Sequence, residues 1–172
     1  RNLELNLKSN TAGYWWKVNT FKMADPGQMN ATFMYTDTWG IYQGTVDNLT
    51  DGDSSTALDF RTSGDRTRKG DYIGWDLGKE TAIGKIHAVI GGDRSAGDKW
   101  EKYSLQYSND NQNWTTYKTY QGVASGKDTV EENFYGLKAR YVRLVNEGER
   151  AVWVIFSEFS VKAYNPDEDF NN

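Results

Sequence analysis

Apolar and polar residues alternate with a period of two through most of the regular stretches of this chain. In 71–78, Ile73, Trp75 and Leu77 fall on one face and Gly78 ends the run. In 100–108, Tyr103, Leu105 and Tyr107 repeat the pattern before the turn formers Asn109, Asp110 and Asn111. In 139–146, Val142 and Leu144 oppose Tyr141, Arg143 and Val145, and 153–161 reads as a last apolar strand pair interrupted by Ser157 and Glu158. A two-residue period sends successive side chains to opposite faces of a pleated strand. Short runs of this kind between Gly, Asn and Asp predict an all-β fold, an antiparallel sandwich or barrel with negligible helix. The best helical stretch, 28–36, is short and breaks at Asp37. The segment 14–44, rich in Trp, Met and Tyr, reads as a long ordered lead-in or loop, and His87, in the alternating 85–89, as an exposed strand residue.

Composition narrows the functions. A chain of 172 residues is large enough for one domain with its own core. It has no cysteine, so disulfides, thiol chemistry and cysteine-rich zinc sites are out. A net charge of −4 gives no basic footprint for nucleic acid or anionic lipid. No apolar run spans a bilayer, and the start at Arg1 reads as an excised piece of a longer polypeptide. The chain is aromatic-rich yet polar, with 7 Trp and 11 Tyr at a mean hydropathy of −0.80. Rings with one polar atom suit both a sandwich core and a sugar-stacking surface. Sequons at Asn30, Asn48 and Asn113 read as incidental.

The stretch from Asn48 to Thr56 carries the most specific chemistry. Asp51 and Asp53 are hard oxygen ligands, and Gly52 lets the backbone turn tightly enough for carbonyls to converge. It is not an EF-hand, because the closing Glu and flanking helices are missing. An Asp-Gly-Asp turn is also an ordinary loop signal. Glu158 is an odd acid between Phe156 and Phe159; it is either metal-bound or paired with an Arg such as Arg143, since a lone buried carboxylate is costly.

Five motifs then occur in order: Asp51-Gly52-Asp53-x-x-Thr56, Tyr72-Ile73-Gly74-Trp75-Asp76-Leu77-Gly78, Tyr103-Ser104-Leu105-Gln106-Tyr107-Ser108-Asn109-Asp110-x-x-x-Trp114, Ala139-Arg140-Tyr141-Val142-Arg143-Leu144 and Ser157-Glu158-Phe159-Ser160-Val161. Over 46–163 the chain resembles the coagulation factor V/VIII C-type, or discoidin, domain. It looks most like family 32 carbohydrate-binding modules of secreted bacterial glycoside hydrolases, in texture those of clostridial hyaluronidase-like N-acetylglucosaminidases. The resemblance implies a jellyroll, galactose-binding-domain-like β-sandwich at 14–163, after a lead-in at 1–13 and before an acidic tail at 164–172. It also implies one structural calcium ion. Its ligands would be carbonyls of Asn48, Asp53 and Ser157, the carboxylates of Asp51 and Glu158, and the carbonyl and hydroxyl of Thr56.

By the same resemblance, sugar-binding residues come from loops at one end of the sandwich: 60–70, 91–99 and 146–153, with 39–42 leaning in. The candidates are Phe60 and Arg61 in the first loop, Arg94, Asp98 and Lys99 in the second, and Glu147 and Trp153 in the third, with Trp39 and Tyr42 beside them. The second loop can equally be a solvated turn, and Trp153 either a stacking ring or the first core residue of the last strand. Galactose-binding members place a His after the Thr56 strand; Phe60-Arg61 stands there instead, which favours N-acetylglucosamine or another N-acetylhexosamine. The expected protein is therefore a non-catalytic, monomeric, secreted module, linked covalently to its parent enzyme, that binds glycans rather than nucleic acid or membrane lipid. A discoidin-type lipid- or protein-binding domain is the alternative. Catalysis by paired carboxylates is the weakest reading, because the acids lie in metal and turn contexts and no nucleophile–base set with His or Cys can be assembled.

Overall fold

The computed structural model describes residues 6–8, 15–17, 31–36, 40–60, 66–92 and 97–167. Strands β1 (Asn6–Lys8) and β2 (Trp15–Lys17) form a small antiparallel pair. The rest is one antiparallel system of seven strands: β3 (Thr32–Tyr35), β4 (Leu58–Phe60), β5 (Tyr72–Ile90), β6 (Lys102–Ser108), β7 (Thr115–Gln121), β8 (Asp128–Asn146) and β9 (Val154–Ala163). Their order is β4-β9-β5-β8-β6-β7, with β3 off this path, paired to the first half of β5 as β9 is to the second. The described residues contain one short 3-10 turn, Val46–Leu49, and no α-helix. The fold is the all-β antiparallel sandwich that the alternation predicts. The helical signal at 28–36 gives way to β3, which pairs Phe33 with Trp75 in register.

Two long strands organise the sandwich. The first half of β5 pairs with β3 and the end of β8, and its second half with β9 and the start of β8. Gly78 does not end the strand as the pattern suggests. Its φ of +80° lets the chain turn a corner within a register shift between Asp76 and Thr81, after which the strand continues.

The inward set follows the period of two. Ile73, Trp75, Leu105, Val142 and Leu144 are buried, and the Trp75 indole donates to the carbonyl of Phe159 at 3.0 Å. The outward set on β8 makes its own surface lattice: the Arg143 guanidinium lies 3.8 Å from the centroid of Trp114 and 5.1 Å from that of Tyr72. Phe60 is a correction to the sugar-site reading. It is 1% exposed and packs its ring on Phe33, Tyr35 and Phe156, a burial that contributes about 1.5–3 kcal/mol. All three residues of β4 are buried, so no face of this strand is left for a ligand.

Candidate functional site

The acidic loop is tied to the core by Leu49, which is fully buried at the end of the 3-10 turn. The Asn48 side chain accepts from the Thr45 amide at 2.9 Å and donates to Asp51 at 3.3 Å. Asp51 also accepts from the Asp53 amide at 2.9 Å and the Thr56 hydroxyl at 2.6 Å. Those bonds, Thr56 first, hold its carboxyl below the ordinary carboxylate range. Gly52 sits at φ +75°, so the turn requires the left-handed backbone that glycine accepts. Asp53 turns its carboxylate away, onto the amide and hydroxyl of Ser55. Its carbonyl faces Thr56.

Across from this loop, β9 carries a register shift at Ser157: Ile90 pairs with Phe156, and Val89 with Glu158. The extra residue of such a bulge re-aims its neighbours. Ser157 donates its hydroxyl to the carbonyl of Gly91 at 2.8 Å. Glu158 is 4% exposed and faces Asp51 and the Gly52 amide; burial first, then the charge of Asp51, pushes its carboxyl up. One Glu158 oxygen is buried without a hydrogen-bond partner. Arg143 does not meet it, being bonded to Gln106 at 2.9 Å and stacked on Tyr72 and Trp114.

Asn48, Asp51, Asp53 and Thr56 thus share one bonded loop that faces Glu158, while Ser157, beside it in β9, bonds Gly91. Two facing carboxylates with an orphaned buried oxygen, amid hydroxyl and carbonyl donors, suit a hard divalent cation. Among the described residues no three His, Cys, Asp or Glu side chains converge, so carbonyl and hydroxyl oxygens would have to complete the shell.

The loop end gathers around the start of β9. Trp153 is half-buried, with the Arg66 guanidinium 4.9 Å from its ring centroid. Next to it, Thr67 and Val152 bridge, the Thr67 hydroxyl donating to the Val152 carbonyl at 2.6 Å. Ile155 donates to the carbonyl of Asp98 at 3.0 Å and pairs in register with Asp59, whose carbonyl receives the Tyr42 amide at 2.8 Å. Tyr42 is 64% exposed. Glu147 accepts from the Ser104 hydroxyl, and Glu149 pairs with Lys69.

Backbone bonds therefore set Asp98 beside the strand that Trp153 leads into and Tyr42 one strand further across β4, with Glu147 just after the end of β8. Lys99 does not join them. It is 6% exposed, bonded to Asp128 at 3.1 Å and to the Gly126 carbonyl at 2.7 Å, which corrects its place among the sugar contacts. Trp39, Arg61 and Arg94 lie outside the described residues. Arg66 was not legible, because only the long-range Thr67–Val152 bridge brings it to Trp153.

A wider cleft of about 830 Å³ lies elsewhere, between the acidic loop and the face of β5, β8 and β9 that carries Lys85, Glu131 and Ser160. His87 borders it, about one-third exposed, 3.7 Å from Glu131.

The sequence profile of the F5/8 type C domain matches residues 28–159, and the chain belongs to that family. No curated protein matches it in sequence. Among solved structures it is similar to CpGH89CBM32-5 from Clostridium perfringens, in complex with GalNAc-β-1,3-galactose, at 23% identity and a TM-score of 0.58, covering 80% of this chain and 97% of that one. It is similar to chitosan-binding module 1 of a chitosanase/glucanase from Paenibacillus sp. IK-5, at 21% identity and a TM-score of 0.56, covering 80% and 97%. It is also similar to the lectin domain of lectinolysin complexed with Lewis B antigen, at 17% identity and a TM-score of 0.60, covering 83% and 99%. These likenesses establish the shared fold.

Proposed function

We propose that this chain is a non-catalytic glycan-binding module of a secreted glycoside hydrolase, and that its loop end takes a terminal N-acetylhexosamine, N-acetylglucosamine first. The observation that carries this reading is the cluster at the start of β9, where half-buried Trp153 under Arg66 lies two residues from Ile155, which binds Asp98 and, through Asp59, Tyr42. A pyranose needs an apolar ring beneath its carbon face and polar groups at its hydroxyls. Trp153 supplies the first, Asp98 and Glu147 the second, and Tyr42 a flank. The sugars in the relatives support the reading, one with an N-acetylhexosamine disaccharide and one named for chitosan. The resemblance to modules of hyaluronidase-like enzymes belongs to the same reading.

The acidic loop would hold a calcium ion through Asn48, Asp51, Asp53, Thr56, Ser157 and Glu158. Calcium would supply the positive charge that the Asp51 and Glu158 carboxylates lack. The chain's own part is to bring an early loop and the last strand to one point, so that binding stabilises the native state.

Affinity for a monosaccharide is expected on the order of 0.1–1 mM, since few atoms are buried in a shallow site. Titration calorimetry with N-acetylglucosamine on the wild type, Trp153→Ala and Asp98→Ala tests the placement. Weakened binding in both variants supports it; unchanged binding in both moves the site away from β9.

A further inference from the structure

Trp100 and Glu101 contact two described parts of the loop end, Thr67 and the 149–150 turn. The Trp100 indole donates to the Thr67 hydroxyl at 2.9 Å, next to Arg66, and its ring meets Phe156 edge-on at 5.1 Å. The Glu101 carboxylate accepts from the backbone amides of Glu149 and Arg150 at 3.1 and 3.4 Å. Its carbonyl accepts from Gly122 at 2.9 Å. Asp98, just before Lys99, is hung on Ile155. At the head of 99–101 the buried Lys99 ammonium bridges Asp128 at the start of β8 and the Gly126 carbonyl. Asp128 is in turn fixed by the Val123 amide at 2.8 Å. A buried lysine and a buried aspartate are costly to desolvate and stabilise little net; what such a pair can supply instead is one fixed arrangement of its neighbours.

We propose that the Lys99–Asp128 ion pair is a positioning device. It locks 99–101, and through Trp100 and Glu101 it sets the 66–67, 98 and 147–150 segments in the one arrangement that binds glycan. The affinity consequence rests on the glycan reading above; the locking itself does not. The pair acts through its neighbours and need not touch the sugar.

The test compares wild type with Lys99→Met/Asp128→Asn, which removes both charges but keeps an acceptor for Val123. Lys99→Met alone, which strands a buried carboxylate, serves as the control that fails to fold stably. The double variant should melt within about 3 °C of wild type, because loss of both partners is close to neutral. Hydrogen exchange should accelerate about tenfold or more at the amides of Glu149 and Arg150 and at that of Ile155, which donates to Asp98, and stay unchanged in the β5–β8 ladder. N-acetylglucosamine should bind about tenfold more weakly in calorimetry. Unchanged exchange at those amides overturns the proposal, as does faster exchange with unchanged affinity. A wild type that binds no glycan overturns the glycan reading instead, and exchange alone then decides the lock: faster upholds it, unchanged overturns it.

Discussion

Calcium should raise the melting temperature of this module, and Glu158→Gln should remove that dependence while reversing the order of the two proteins in chelator. Glu158 is buried with one unpartnered oxygen, and its nearest charged neighbour is another carboxylate, Asp51. A cation binding only the native state at 100 times its Kd stabilises by about 2.7 kcal/mol. For a chain of this size each kcal/mol moves the melting point by about 2–4 °C, so calcium should add about 5–11 °C. Glu158→Gln loses a charged ligand, and its calcium shift should fall below about 2 °C. In chelator the variant no longer sets two like charges against each other, and it should melt no lower than wild type. Differential scanning calorimetry in chelator and in calcium reads all four values. A glutamate with a merely structural role would leave the variant weaker in both buffers. A wild type indifferent to calcium, or a variant weaker than wild type in chelator, refutes the reasoning.

The remaining predictions concern the core, the loop end and pH. Phe60→Ala should cost about 3–5 kcal/mol of stability in chemical denaturation, as an emptied core site does; a loss of glycan affinity without loss of stability would return Phe60 to the sugar site. Trp153→Ala should weaken N-acetylglucosamine about tenfold or more in calorimetry, with a native circular dichroism spectrum. The Arg140 guanidinium, bonded to both oxygens of Asp76 at 2.9 and 3.1 Å, holds that carboxyl below the ordinary range. With the folded value lowered, its contribution is complete above the unfolded value of about 3.9 and fades as pH falls through the folded one. Asp76→Asn should therefore melt below wild type at about pH 6, with the gap narrowing as pH falls below about 3.9; a gap that stays undiminished in strong acid would contradict this.

Alternation made the sandwich legible, and an acid between two phenylalanines made Glu158 legible, because both signals are local. The features the sequence hid depend on distant partners. Lys99 sits in a glycine-rich polar stretch that reads as exposed, and only Asp128, far along the chain, explains its burial. Phe60 closes a three-residue strand buried on both faces, which carries no alternation to read. β7 is almost wholly exposed, with Thr, Lys and Tyr on both faces, so no apolar set marked it as a strand. Gly78 reads as an end because glycine punctuates strands, yet here its positive φ turns a corner inside one.

Glycan recognition is the central claim, and a glycan array probed with the purified chain in calcium buffer tests it most directly. Signal confined to glycans ending in N-acetylglucosamine or another N-acetylhexosamine, and lost in Trp153→Ala, is the predicted result. No glycan signal, with binding to phosphatidylserine vesicles in its place, would contradict it.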